Sequence, residues 1–325
     1  MIHSQDVKSY FIFSIIRFVC LLISVAILGF LLLLALPGDP IDLLLIERGN
    51  MSSEMQHYLN HYYAESHDWM THLMSWLEIV FSDSRLMSKL YHKPVFELIF
   101  EHLSNTFFLM FTAMLCSVCL AFLFLFICYF FDLRWLRKIM LHFSYIMISA
   151  PLFVLCFLGI FIFSITLNIA PSFIHYNVFT GYDTAFFESF ILPFMILVLG
   201  GLGSFYRYLD HFTKEEMQKL YILAVRAKGV SKLNILIKHV FKNIIIFFLN
   251  IFNIRYIQLF SGAVVVESIF NYPGIGSLSY EAIISNDYYL AVTIITTISA
   301  FILMMNFLID VIHFWIDHRV LGATK

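Results

Sequence analysis

Apolar residues come in long runs separated by short polar links, and the length of the runs sets the reading. About 20 mostly apolar residues cross the hydrocarbon core of a bilayer as a helix. Six stretches approach or exceed that length: 10–36, 103–131, 139–169, 190–206, 244–269 and 289–316. The pattern predicts an all-α membrane protein with about six transmembrane helices. The third stretch is long enough to tilt or to bend near Pro151. The first has too long an apolar core for a cleaved leader, and no small-residue cleavage site follows it, so it reads as a retained anchor.

Composition sharpens this picture. The 325 residues are 61% hydrophobic and only 13% charged, with 37 Phe, more apolar surface than a soluble fold of this size can hide. A net charge of -2 gives no basis for a nucleic-acid partner. Cys20, Cys116, Cys119, Cys128 and Cys156 all fall inside apolar runs and read as small hydrophobes, not as a disulfide or zinc framework.

Basic residues set the orientation, because loops rich in Lys and Arg stay cytoplasmic. Lys8 and Arg17 accompany the first span, Arg134, Arg137 and Lys138 fill the link after the second, and Arg319 and Lys325 close the chain. Eight more, from Arg207 to Lys242, crowd the link after the fourth. The alternate links differ: 37–102 holds four basic residues against ten acidic ones, and 171–189 and 271–288 hold no basic residue. Both termini are expected in the cytoplasm. The organisation is an N-terminal segment and first helix over 1–36, an external loop over 37–102, a core of five spans over 103–316 with a cytoplasmic loop over 207–242, and a cytoplasmic tail over 317–325.

The 207–242 link is too regularly apolar for a disordered basic loop. Thr213 is an apt N-cap for a first helix over 213–228, with Glu215 and Glu216 in its first turn, where acids suit the helix dipole. Gly229 ends it, since glycine takes the left-handed conformation a helix terminus needs. Ser231 caps a second helix, in which Leu233, Ile237, Val240, Phe241 and Ile244 recur at helical spacing into the fifth span. Such a knob suits docking to a soluble partner, with Ala224 and Ala227 permitting close approach; an amphipathic hairpin on anionic lipid is the alternative.

The run YILAVRAKGVSKLNILIKHVFKN, 221–243, resembles the cytoplasmic loop of binding-protein-dependent ABC importer permeases. The run GAVVVESIFNYPGIGSLSYEAIISNDYY, 262–289, and LPGDP, 36–40, resemble segments of the dipeptide and oligopeptide branch of that family. The resemblance implies the type I ABC importer permease fold in a bacterial cytoplasmic (inner) membrane. It implies a second homologous permease subunit, two ATP-binding cassette ATPase subunits and an external solute-binding protein as partners, with no cofactor. Tyr221, Ala224, Arg226, Ala227 and Gly229 then form the ATPase-coupling loop. The chain departs from the family at Leu220, where an acid is common, and at Phe247, where a proline is common. No GxxxxGK[ST] phosphate loop is present, so the chain is no enzyme and not itself the motor. Solutes of the branch include dipeptides, longer and antimicrobial peptides, metal chelates and haem.

An arginine, Arg255, sits near the middle of the fifth span, where an unpaired charge costs about 2.5–3.5 kcal/mol on insertion scales. Asn250, Asn253 and Gln258 share its helix, and the four cover an arc of roughly 200°, too wide for a helix with a fully lipid-facing back. Two readings follow: this helix lines the translocation path and Arg255 meets a solute carboxylate, or Arg255 pairs structurally with Asp310 or a partner subunit. Glu267 ends the same span, and Pro273, Gly274 and Gly276 break the helix after it. The resemblance makes these residues an outer cap near the docked binding protein; the alternative is a buried acid satisfied by loop amides.

His57 and His61 have an i, i+4 spacing that could hold a metal on one helical face, but no fixed second pair accompanies them, and no metal site is assigned. Trp69, Leu73, Trp76, Leu77 and Val80 recur at helical spacing, as in a segment lying against the membrane surface. A self-sufficient secondary transporter or channel is the alternative function; it calls for paired broken helices or acid-lined spans, and it leaves the cytoplasmic knob without a task.

Overall fold

The computed structural model describes residues 4–34, 74, 88, 91, 93–169, 182–285 and 287–316. The LPGDP run, His57 and His61, the Trp69 to Val80 stripe and the tail 317–325 lie outside them. Regular structure in the described residues is helical: α1 Ser4–Leu34, α2 Val95–Phe130, α3 Arg134–Ser149, α4 Leu152–Thr166, α5 Tyr182–Met217, α6 Leu220–Ala227, α7 232–270, α8 Ile275–Ile284 and α9 Tyr288–Ile316.

Among the described residues, four helical segments are long and apolar enough to cross a membrane: Val95–Phe130, Phe190–Met217, Phe247–Phe270 and Leu290–Ile309. Over the third expected span the helix is interrupted, and α3 and α4 meet at a bend of 107°. The cause is Pro151, which lacks an N–H and forces the residue before it out of the helical region. Ala150 accordingly adopts φ -77°, ψ 129°. Large apolar side chains stand exposed along these helices, among them Phe111, Phe157 and Ile165, as suits a lipid surround.

Two compact units emerge, one made of 104–277 with 308–325 and the other of 1–103 with 278–307. In the first, the core joins Leu109 and Ala113 of α2, Cys156 of α4, Leu192 and Ile196 of α5 and Val266 and Phe270 of α7. Two glycines of α5 permit close packing here. A Cβ at Gly203 would lie 2.8 Å from Met147 Cβ of α3, and one at Gly201 would lie 2.5 Å from Ser117 Oγ of α2. Polar contacts complete the packing: Arg137 of α3 donates through Nε and Nη2 to Asp210 of α5 at 2.6 and 2.9 Å. The guanidinium also lies over the Tyr129 ring, 4.9 Å from its centre.

In the other unit, Asp287 caps α9 by accepting from the Leu290 N–H at 3.3 Å and also accepts from Ser88 Oγ at 2.7 Å. Tyr91 donates to Glu281 of α8. The link 271–288 thus contains a helix, α8, that apolar periodicity did not reveal.

Candidate functional site

The loop between α5 and α7 departs from the expected layout at its start. Thr213 is no N-cap: α5 runs unbroken to Met217, and Thr213 is fully buried inside it. Nothing between Tyr206 and Met217 breaks a helix, as that stretch has neither Gly nor Pro. The helix therefore continues past its apolar part, and the short α6 begins at Leu220 after a break at Gln218 and Lys219. The expected helix over 213–228 is two helices, and Glu216 belongs to the last turn of α5.

That displacement gives Glu216 a different role. It is 2% exposed, and its carboxylate accepts from Lys219 Nζ at 2.6 Å, from Asn243 Nδ2 at 2.9 Å and from the Tyr221 hydroxyl. Asn243 also donates to Tyr221 Oη at 2.8 Å. Burial and the bond to Glu216 push the Tyr221 phenol up to about 12, so it stays a donor at neutral pH. One carboxylate therefore ties the end of α5, the start of α6 and the body of α7 together.

Helix α6 itself is mounted by Ile222, which is fully buried. Leu220, Leu223, Ala224 and Ala227 are exposed at the i, i+3, i+4, i+7 spacing of one helical face. Arg226 is exposed and reaches back to Met217 Sδ at 3.7 Å. Gly229 follows at φ 75°, a left-handed conformation that other residues adopt at a cost, and open space surrounds the position of a Cβ. Ser231 then caps the next helix, accepting from the Asn234 N–H at 3.4 Å. Lys232 pairs with Asp132 in the link between α2 and α3. The start of α7 is π-helical over Ile235–Phe241 and passes directly into Lys242–Phe270.

Of the four polar residues expected on one path, the structure brings together two. Arg255, Gln258 and Gly262 fall on one stripe of α7 and line a pocket with α5 residues Gly200, Gly201, Ser204 and Phe205. Arg255 Nη1 donates to Gln258 Oε1 at 2.8 Å, and its guanidinium lies 5.5 Å from the centre of the Tyr208 ring. Asn250 and Asn253 precede Arg255 by five and two residues, which at about 100° per residue turns them away from this stripe. Neither lines the pocket. The Asp310 side chain, the proposed structural partner of Arg255, lies outside the described residues.

At the far end of α7, Glu267 is fully buried. Its carboxylate accepts from Thr106 Oγ1 at 2.6 Å and from the Gly276 and Ser277 N–H groups at 2.7 and 3.3 Å. The Thr106 hydroxyl and first-turn amides of α8, not loop amides, thus satisfy it. The helix ends at Asn271 in the left-handed conformation, φ 51°, two residues before the expected break at Pro273. Gly274 and Gly276 serve close approach instead: a Cβ at either would collide with the Glu267 carboxyl.

Residues 126–322 match the family described as binding-protein-dependent transport system inner membrane component. Over 303 residues the chain is 29% identical to a protein of Brucella abortus (strain 2308) provisionally named a peptide transport system permease protein, covering 92% of this chain and 94% of that one. It is 32% identical over 130 residues to the inner membrane ABC transporter permease protein YejB of Escherichia coli O157:H7, covering 40% of this chain and 36% of that one. A match spanning more than half the chain, on apolar helices joined by a helix, glycine turn and helix, places this protein in the family of binding-protein-dependent transport system inner membrane components, the permease subunits of ABC importers.

Proposed function

We propose that this permease imports peptides, as one of two similar permeases that face each other across a shared path and rest on two ATP-binding cassette subunits. The observation that carries the coupling role is α6: a helix held to the body by Ile222 and the Glu216 cluster, yet presenting Leu220, Leu223, Ala224 and Ala227 outward, exposed among the described residues. A rigid mounting with a bare apolar face can transmit force from a partner that grips it. Tyr221 fixes the near end of that lever, Arg226 adds charge at its rim and Gly229 is its hinge.

The eight basic residues from Arg207 to Lys242 support a cytoplasmic position for this lever, together with both termini. The Glu267, Pro273, Gly274 and Gly276 constellation then faces outward as a cap where an external binding protein delivers solute. Peptides are the solute class named for the relatives that align over nearly the full chain.

The test is reconstitution. A tagged copy purified from the native membrane is expected to bring a second permease and two ATPase subunits. With its binding protein, that complex is expected to drive ATP-dependent peptide uptake into proteoliposomes. Purification of the chain with no nucleotide-hydrolysing partner, or a complex that takes up other solutes but no peptide, would contradict the proposal.

A further inference from the structure

The pocket beside Arg255 has the chemistry of a carboxylate site. Hydrocarbon around a membrane helix makes an uncompensated cation costly, and the two described partners of this guanidinium, Gln258 Oε1 and the Tyr208 ring, are both uncharged. Among the described side chains, which do not include that of Asp310, no Asp or Glu lies within ion-pair distance of Arg255. A guanidinium carries five N–H donors in a planar fork that matches a carboxylate. Gln258 occupies one of them and steadies the group.

The rest of the pocket fits what adjoins a terminal carboxylate. Leu152, Ile196 and Phe205 form apolar walls, and Ser204 adds a hydroxyl. Gly200 leaves the floor open, since a Cβ there would meet nothing within 4 Å. The cavity amounts to about 110 Å³, room for a carboxylate and a small adjoining side chain. None of the described residues that line it is acidic, which suits it to the C-terminal end of a peptide and not to the ammonium at the other end.

We propose that this pocket receives the free C-terminal carboxylate of a peptide during transit, with Arg255 as the anion contact and the apolar walls holding the last side chain. The inference rests on the peptide reading above. One guanidinium in an open pocket selects without trapping, as a path that must release its cargo requires.

The experiment uses the complete importer in proteoliposomes with its binding protein, and compares ATP-driven uptake of trialanine with that of its C-terminal amide. Arg255→Gln is expected to lower the acid-to-amide uptake ratio by about tenfold, the loss of one charge-assisted contact. Arg255→Lys recovers part of it, because the charge returns without the fork. Gly200→Leu, which fills the pocket with Arg255 in place, lowers the same ratio. Equal losses of acid and amide uptake in Arg255→Gln and Gly200→Leu would overturn the site. So would a wild-type ratio in Gly200→Leu alongside loss of the second permease from the Arg255→Gln complex, which marks a subunit contact. A ratio that follows only the anionic lipid content would make the ligand a headgroup and overturn the site as well. Uptake of neither peptide by the wild type overturns the peptide reading and the site with it, whereas uptake with an unchanged ratio in both variants overturns the site alone.

Discussion

Removing the Glu216 carboxylate should loosen α6 from the body of the protein while leaving the fold intact. Three donors converge on that group, but they do not count equally. Lys219 keeps its side chain 44% exposed, so its ion pair contributes under about 1 kcal/mol. Asn243 and Tyr221 retain each other as partners at 2.8 Å, which limits the loss on their side to about 1.5 kcal/mol, the value of a bond to a charged acceptor. Glu216→Ala is then expected to weaken the docking of α6 by about 2 kcal/mol, or about 30-fold in the docked population. Ile222 remains buried beneath the helix and keeps it attached most of the time. Hydrogen exchange on the assembled importer reads this directly: amides 222–228 should exchange about 30-fold faster, with α5 and α7 unchanged. Transport per ATP hydrolysed should fall, and Glu216→Gln should lie between. Unchanged exchange in 222–228, or an equal rise throughout α5 and α7, would refute the assignment of Glu216 as the anchor.

Other expectations follow from the same geometry. Gly229→Ala places a side chain in open space at φ 75°, so the cost is backbone strain alone, about 1 kcal/mol; Gly229→Asn should cost less, and the ratio of transport to ATPase activity checks both. Glu267→Ala strips acceptors from Thr106, Gly276 and Ser277 and should destabilise the protein by about 3 kcal/mol or more, read as an early thermal transition in detergent. Gly274→Ala should destabilise comparably, because its methyl group meets the Glu267 carboxyl. A double-mutant cycle on Arg137 and Asp210, 29% and 6% exposed at the side chain, should return a coupling of about 1–3 kcal/mol by thermal stability.

The parts of this fold that lipid dictates were legible in the residues. A bilayer demands long apolar helices, and Pro151 announces its own bend because proline removes a donor and restricts its predecessor. Gly229 and Ser231 were legible for the same local reason, as each satisfies a backbone requirement with its own chemistry. The start of the loop was not. Thr213 followed by two acids has the composition of a helix start, yet the preceding helix had no reason to stop. The actual break at Gln218 and Lys219 coincides with bonds that Glu216 accepts from Tyr221 and Asn243, and the second of these partners is 27 residues away. Arg255 announced itself as an intramembrane charge, but the Tyr208 ring and the Gly200 floor come from another helix and leave no periodic trace. Asn271 rather than Pro273 ended α7 because the short amide side chain tolerates the left-handed region.

Cysteine crosslinking around α6 tests the central claim most directly. In the assembled importer, single cysteines at Leu220, Leu223 and Ala227, all exposed on one face, should form crosslinks to an ATP-binding cassette subunit, and the yield should change when nucleotide is bound. A cysteine at buried Ile222 should form none. Failure of all three exposed positions to capture a nucleotide-hydrolysing protein, or labelling of that face by an impermeant reagent from outside the cell, would contradict the account.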